Sequence, residues 1–500
     1  MDRRVDTFVC DSPLYRDAMS FDRRKSTVGM IGWNHVFDYD HHCIGYTKLF
    51  AVGVGGLLAE IEEELQKSGI SPEKTDFLLA SRRSCRAVLR VAERFAFKAE
   101  EMLEDGHDRL DPVERENLRW ISETAGRIPR EPPGTFREAL AMIWFLREVT
   151  ASLENVGVSV VGHLDRLADP LYRADVASGR ITEEEARDLL VRWMIPTDIK
   201  FFLHRTEWPE TSTCVELGGC DTDGAIVFND ITRFVIEEHE KNKLVNPKLN
   251  CRYSIRAPRA YLDLIGGCIL RGHNVFALIN DDVIIPSLMR AGKTEREARL
   301  FVNGGCQETM AEGVEHTAGA FYYFSMPRVL DLCLQPEAIP EQYLGPHTLE
   351  AYPHPIEAPA DFNSFYTAFM DNLKRAIGVT LGWQKTLGER WREVHPCPLF
   401  SATLEGCITK GTDYTAGGAR YNPGTVGMVG LATLVDSLLA IKKAVFDDRI
   451  LTYSQLLDVL SRNWEGAEPI RQKMISYPKF GHGEKEVDAF YNKMKDPNDN

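Results

Sequence analysis

Apolar residues recur at helical spacing from Phe136 through Leu140, Ile143 and Trp144, and Thr135 with Glu138 ahead of them has the spacing of a capping box. The same signal returns at Thr182/Glu185, Thr294/Glu297 and Thr452/Gln455, each before another apolar-periodic run, so helices of moderate length are predicted to begin there. The segments KLNCRYSIR (248–256) and NVFALIND (274–281) are short and apolar or alternating, and read as strands. Helices therefore alternate with strands through the middle of the chain. A parallel connection needs a helical crossover, so the alternation predicts an α/β architecture with largely parallel strands. The Pro-rich stretch 335–360 is expected to be an irregular surface excursion or internal linker.

Composition narrows the class. A chain of 500 residues, 44% hydrophobic and 27% charged, can bury a large core. Its net charge of −15 is spread along the whole length, which argues against a nucleic-acid partner and suits a small-molecule enzyme of the cytoplasm. No apolar run approaches the roughly 20 residues of a membrane span, and no signal-peptide core follows the charged amino terminus. Eleven cysteines without a C-x-x-C pair indicate neither a disulfide framework nor a zinc site.

Three constellations are candidates for chemistry. In NGGCQETM (303–310), Cys306 and Glu308 stand two residues apart; in an extended segment both would project to one face, offering a sulfur centre and a base to one substrate. A buried loop cysteine beside a solvated glutamate accounts for the same residues. The segment 417–448 is a Gly-rich loop that runs into an amphipathic helix, either a phosphate-holding loop or a tightly packed turn, and it lacks the P-loop pattern. In YDHHC (39–43) the adjacent His41 and His42 are poorly spaced for a metal, which leaves a substrate-binding histidine or an ordinary core or surface one.

Taken in order, GVGGLLAEIEEEL (53–65), PPGTFREALAMIWF (132–145), GHLDRLADPLYRAD (162–175), GRITEEEARDLL (179–190), NDDVIIPSLM (280–289), GGCQE (304–308), GGARYN with VGLATLVDSLLAIKKAVF (417–446) and YPKFGHGEKEVD (477–488) resemble the pyruvate formate-lyase-like catalytic domain of glycyl radical enzymes. The resemblance implies a ten-stranded α/β barrel of two half-barrels, with the cysteine on a central loop. Cys306 then falls on the thiyl position and Glu308 on the carboxylate of the G-C-x-E signature shared by dehydratases and lyases. His41 resembles a pocket histidine of the family, and Tyr421 of GGARYN is carried over as a substrate contact.

Departures from the family pattern shape the rest. Gly305 and Gln307 flank Cys306, so the adjacent cysteine pair of pyruvate formate-lyase is missing. The W-H-D aspartate of diol and glycerol dehydratases falls on Ala320, which leaves Glu315 or His316 to substitute for it. The family's radical glycine sits in an R-V-x-G-[YF] loop that these 500 residues do not contain; RAIG (375–378) lies upstream of the Gly-rich loop and reads as helix.

The expectation is a catalytic domain over 1–490 with a tail over 491–500, and a radical supplied by a small glycyl radical subunit. That radical is installed by a radical S-adenosylmethionine Fe–S activase, no metal is bound by this chain, and the assembly is a homo-oligomer or heterotetramer. The implied activity is that of a dehydratase-type lyase acting on a hydroxylated small molecule. The alternative among enzymes is a C–C lyase or arylacetate-type decarboxylase, with the aromatic-rich AFYYFSM (320–326) either lining an aryl pocket or forming ordinary core, and the missing glycine loop leaves room for a radical-dead scaffold or binding homologue.

Overall fold

The computed structural model describes residues 30–35, 41–106, 109–154, 156–198, 213–305, 307–316, 321–336 and 352–495. They fall into two compact units. One comprises the described residues of Asp38–Ala318 and His395–Pro423, the other those of Asp6–Phe37, Gly319–Val394 and Gly424–Asn500. Numbered in chain order, the strands among them are β1 (Ile31–His35), β2 (Val160–His163), β3 (Cys214–Gly218), β4 (Lys248–Tyr253), β5 (Phe276–Asn280), β6 (Phe301–Asn303), β7 (Thr309–Ala311), β8 (Phe321–Ser325) and β9 (Thr425–Val429).

In the first unit β2, β3, β4 and β5 pair in sequence order, all parallel. Helices Leu164–Ala177, Glu183–Met194, Asp230–Lys241 and Arg259–Leu270 fill the crossovers, as a parallel sheet requires. Thr182/Glu185, Thr294/Glu297 and Thr452/Gln455 form complete capping boxes. At Thr135 the box is half made: its hydroxyl accepts from Glu138 N, but the Glu138 carboxylate accepts from Gly134 N at 2.7 Å and pairs with Arg127. No helix among the described residues is long and apolar enough to cross a membrane.

In the second unit β8 pairs antiparallel with β1 and parallel with β9. The strand β9 stands between the Gly-rich loop and helix Leu431–Ile441, where the sequence suggested that loop and helix were continuous. Close contacts decide between the two readings of that loop in favour of a packed turn. A Cβ on Gly418 would lie 1.9 Å from the Thr412 carbonyl oxygen, and one on Gly430, whose φ is +83°, 2.6 Å from Pro327 Cδ. Gly430→Ala is therefore expected to cost roughly 2–4 kcal/mol, as left-handed strain adds to overpacking against a rigid ring; a denaturation midpoint equal to the parent's would contradict it.

In helix Lys485–Lys495, Phe490, Tyr491 and Met494 join Val487 in packing on Val435 and Leu439. The described parts of the Pro-rich stretch, 335–336 and 352–360, have neither helix nor strand.

Candidate functional site

Strands β6 and β7 form an antiparallel hairpin whose tip is 304–308, closed by Gly304 N donating to the Glu308 carbonyl at 2.7 Å. The tip is a turn rather than the extended segment expected. Gln307 N donates to the Gly304 carbonyl at 3.0 Å and Gln307 itself has a φ of 78°, so strand alternation does not set where side chains point. Cys306 lies outside the described residues.

The hairpin is held along one face of the parallel sheet by alternate residues of β4. Lys248 Nζ donates to the Gly305 carbonyl at 3.0 Å, Asn250 Nδ2 to that of Asn303 at 3.0 Å, and Arg252 Nη1 to that of Phe301 at 3.4 Å. Residues i, i+2 and i+4 of a strand share a face, so three side chains meet every second carbonyl of an arm running the opposite way. Arg252 is fully buried. Its guanidinium forms two 2.9 Å bonds to Asp281 and lies 3.9 Å from the centre of the Phe301 ring. From β3, Glu216 Oε1 accepts from Asn303 N at 2.7 Å and Cys214 Sγ donates to the Asn303 carbonyl at 3.1 Å. Burial, followed by the nearby Glu216, keeps the Cys214 thiol protonated.

Two of the expected residues meet at the tip: His41 Nδ1 lies 3.0 Å from Glu308 Oε2, with both side chains mostly shielded from solvent. Their approach explains the first glycine of GGCQE, because a Cβ on Gly304 would stand 2.4 Å from Glu308 Oε2 and 3.1 Å from His41 Cβ. His41 adopts a φ of 66° and its N–H donates to Ser159 Oγ at 3.1 Å, while Val160 N donates to the His42 carbonyl at 3.2 Å. The adjacent histidines therefore part ways. The His42 ring is buried against Phe400 and Tyr414, with centroids 5.0 and 5.5 Å away.

The other three expected residues are engaged elsewhere. Glu315 is buried, pairs with Lys293 Nζ at 2.8 Å and accepts from Ala311 N at 2.8 Å, fastening the turn after β7. His316 is buried with its ring edge-on to Tyr414 at 4.9 Å. Tyr421 hydrogen-bonds Glu297 Oε2 through its hydroxyl at 2.8 Å, and Lys293 Nζ stands 5.1 Å from its ring centre. Among the described residues no group of three or more His, Cys, Asp or Glu side chains is arranged to hold a metal ion.

Sequence reasoning missed Glu216, Lys248, Asn250 and Arg252. A signal was present: K-x-N-x-R alternates polar residues within a strand whose neighbours Leu249 and Cys251 are fully buried. A parallel strand covered on both faces is normally apolar throughout, so such alternation marks a buried polar partner.

The chain belongs to the pyruvate formate lyase-like family, which matches residues 12–496. It is 29% identical over 433 residues to the trans-4-hydroxy-L-proline dehydratase of Clostridioides difficile, covering 82% of this chain and 53% of that protein. With the (2S)-3-sulfopropanediol dehydratase of Klebsiella oxytoca the identity is 28% over 452 residues, 87% of this chain and 53% of that one. The chain thus spans about half the length of these relatives. Among solved structures, the hydroxyproline dehydratase of Clostridioides difficile with trans-4-hydroxy-L-proline bound matches with a TM-score of 0.82 and 26% identity, over 98% of this chain and 62% of that one.

Proposed function

We propose that this chain is the thiol-bearing catalytic part of a glycyl radical dehydratase or lyase, with Cys306 as hydrogen-atom carrier and Glu308 as the base. The observation that carries the proposal is the Glu308 carboxylate held by His41 at the tip of the hairpin that contains Cys306 in its sequence. Both named relatives are dehydratases, which supports a small hydroxylated substrate with a leaving group on the neighbouring carbon.

Cys306 gives its hydrogen atom to the radical glycine and becomes a thiyl, which takes a hydrogen atom from the substrate carbon bearing the hydroxyl. Glu308 takes the hydroxyl proton, leaving a strongly electron-donating ketyl that expels the leaving group with its bonding pair. The proton passes from Glu308 to the departing group, and the carbonyl-stabilised radical recovers hydrogen from Cys306, which returns to the thiyl. The protein's task is to orient these atoms and exclude competing reactions. His41 positions the base, and Glu315, His316 and Tyr421 are proposed as substrate contacts only if their present partners yield. The radical glycine is proposed to lie on a small separate glycyl radical subunit, charged by a radical S-adenosylmethionine activase in the cytoplasm.

The test is anaerobic reconstitution. This chain, the activase and S-adenosylmethionine should give a glycyl electron-paramagnetic-resonance doublet only after a polypeptide bearing an R-V-x-G-[YF] segment is added; a doublet without it removes the separate subunit from the proposal. Polyols and other hydroxylated compounds should then be turned over and arylacetates should not. Glu308→Gln should lower kcat by roughly 10²–10⁴-fold with the doublet unchanged, and a smaller loss rules Glu308 out as the base.

A further inference from the structure

Beside Asn303, the last β6 residue before the tip, Glu216 Oε2, Asn250 Oδ1 and Asn303 Nδ2 are buried without a partner, as is His163 Nε2 on the adjoining strand. Glu216, Asn250 and Asn303 are already connected. Glu216 Oε1 accepts from Asn303 N at 2.7 Å and from Asn250 Nδ2 at 2.8 Å, while Asn250 Nδ2 also donates to the Asn303 carbonyl at 3.0 Å. These bonds fix the Asn250 amide, because turning it over would set its oxygen against two other acceptors.

A count of donors and acceptors then distinguishes the two ionisation states of Glu216. As a carboxylate, Glu216 offers Oε2 only as an acceptor, so nothing is left to donate to Asn250 Oδ1, and a buried acceptor stays unsatisfied at a cost of about 1–3 kcal/mol. As a carboxylic acid, Oε2–H donates to Asn250 Oδ1, the amide whose Nδ2 already donates to Oε1. Glu216 Oε2 and Asn250 Oδ1 are then both satisfied.

We propose that Glu216 is a neutral carboxylic acid which, paired with Asn250, clamps both the N–H and the carbonyl of Asn303 and so positions the hairpin that bears Cys306. The clamp rests on the proposed function only for what the hairpin carries.

The surroundings fit a neutral acid. Burial pushes the Glu216 carboxyl up to about 7, against the opposing pull of the Asn303 N–H and of Arg252. The charges that face it are committed elsewhere: Arg252 to Asp281, and Lys248 to the Gly305 carbonyl. On the adjoining strand His163 is held neutral by burial, and burial likewise keeps the Cys43 and Cys214 thiols protonated. A folded-state pKa raised from 4.5 to about 7 means stability that is complete below pH 4.5 and is lost as pH rises through about 7.

Glutamine is the isostere of the neutral acid, so Glu216→Gln supplies the proof and Glu216→Leu the control. The unfolding midpoint of the Gln variant relative to the parent should rise between pH 4.5 and about 7 and level off above it, while the Leu variant, lacking the bonds to Asn303, stays below Gln throughout. Infrared difference spectra of parent minus Gln variant, with carbon-13-labelled glutamate, should show a protonated-carboxyl band in that same interval. A Gln variant destabilised equally at every pH, with no such band, means that Glu216 is ionised and overturns the clamp. Both measurements need neither radical nor substrate. A failed clamp thus leaves the proposed chemistry untouched, and a failed reconstitution leaves the clamp standing.

Discussion

Cys306→Ser is expected to abolish turnover while leaving the unfolding midpoint and the glycyl radical signal of the reconstituted enzyme in place. Serine exchanges a single heavy atom, sulfur for a smaller and more polar oxygen, so the fold is expected to survive the change. What changes is the bond to hydrogen: an oxygen–hydrogen bond is much stronger than a sulfur–hydrogen bond, so a radical glycine cannot draw the atom from serine. Without that first transfer no later step starts. The loss should therefore be complete, unlike the partial loss from Glu308→Gln, which slows a proton transfer that water can still perform. Anaerobic turnover with the variant provides the check, and activity within about tenfold of the parent would remove Cys306 from the mechanism.

The largest effect on stability is expected at Asp281. Arg252 is fully enclosed, and its guanidinium is matched by two 2.9 Å bonds to this one carboxylate. Asp281→Ala leaves a buried, uncompensated cation, which typically costs about 3–5 kcal/mol. The double variant Asp281→Leu with Arg252→Met should recover much of that loss, because it removes the charge along with its partner. It would also remove one of the three side chains that hold the hairpin carbonyls, at Phe301. Chemical denaturation of the two variants decides the matter: a loss under about 1 kcal/mol for Asp281→Ala would mean that water or another carboxylate reaches Arg252.

Much of the fold was legible because it is written locally. Capping boxes act over three residues, which is why Thr182, Thr294 and Thr452 announced their helices, and KLNCRYSIR showed its strand through alternation within a few positions. Where a local rule had competition it was only partly obeyed: at Thr135, the Glu138 carboxylate went to Arg127 and Gly134 because a cation from another helix outbid the backbone N–H of its own cap.

The sequence by itself also determined the candidate chemistry, through GGCQE and the collinear family segments, and with it membership of a family that spans residues 12–496. Tertiary structure alone decided the arrangement. It made 304–308 a hairpin tip rather than an extended segment, sent His41 to Glu308 and His42 into an aromatic core, and occupied Glu315 and Tyr421 with Lys293 and Glu297. It also put Glu216, Lys248, Asn250 and Arg252 beneath the hairpin. These are contacts between residues tens to hundreds of positions apart. A hydrogen bond depends on where two atoms stand to within a few tenths of an ångström, and for such distant residues that is set by the parallel pairing of β2 to β5 and the path of the hairpin across it, neither of which is encoded within any one segment.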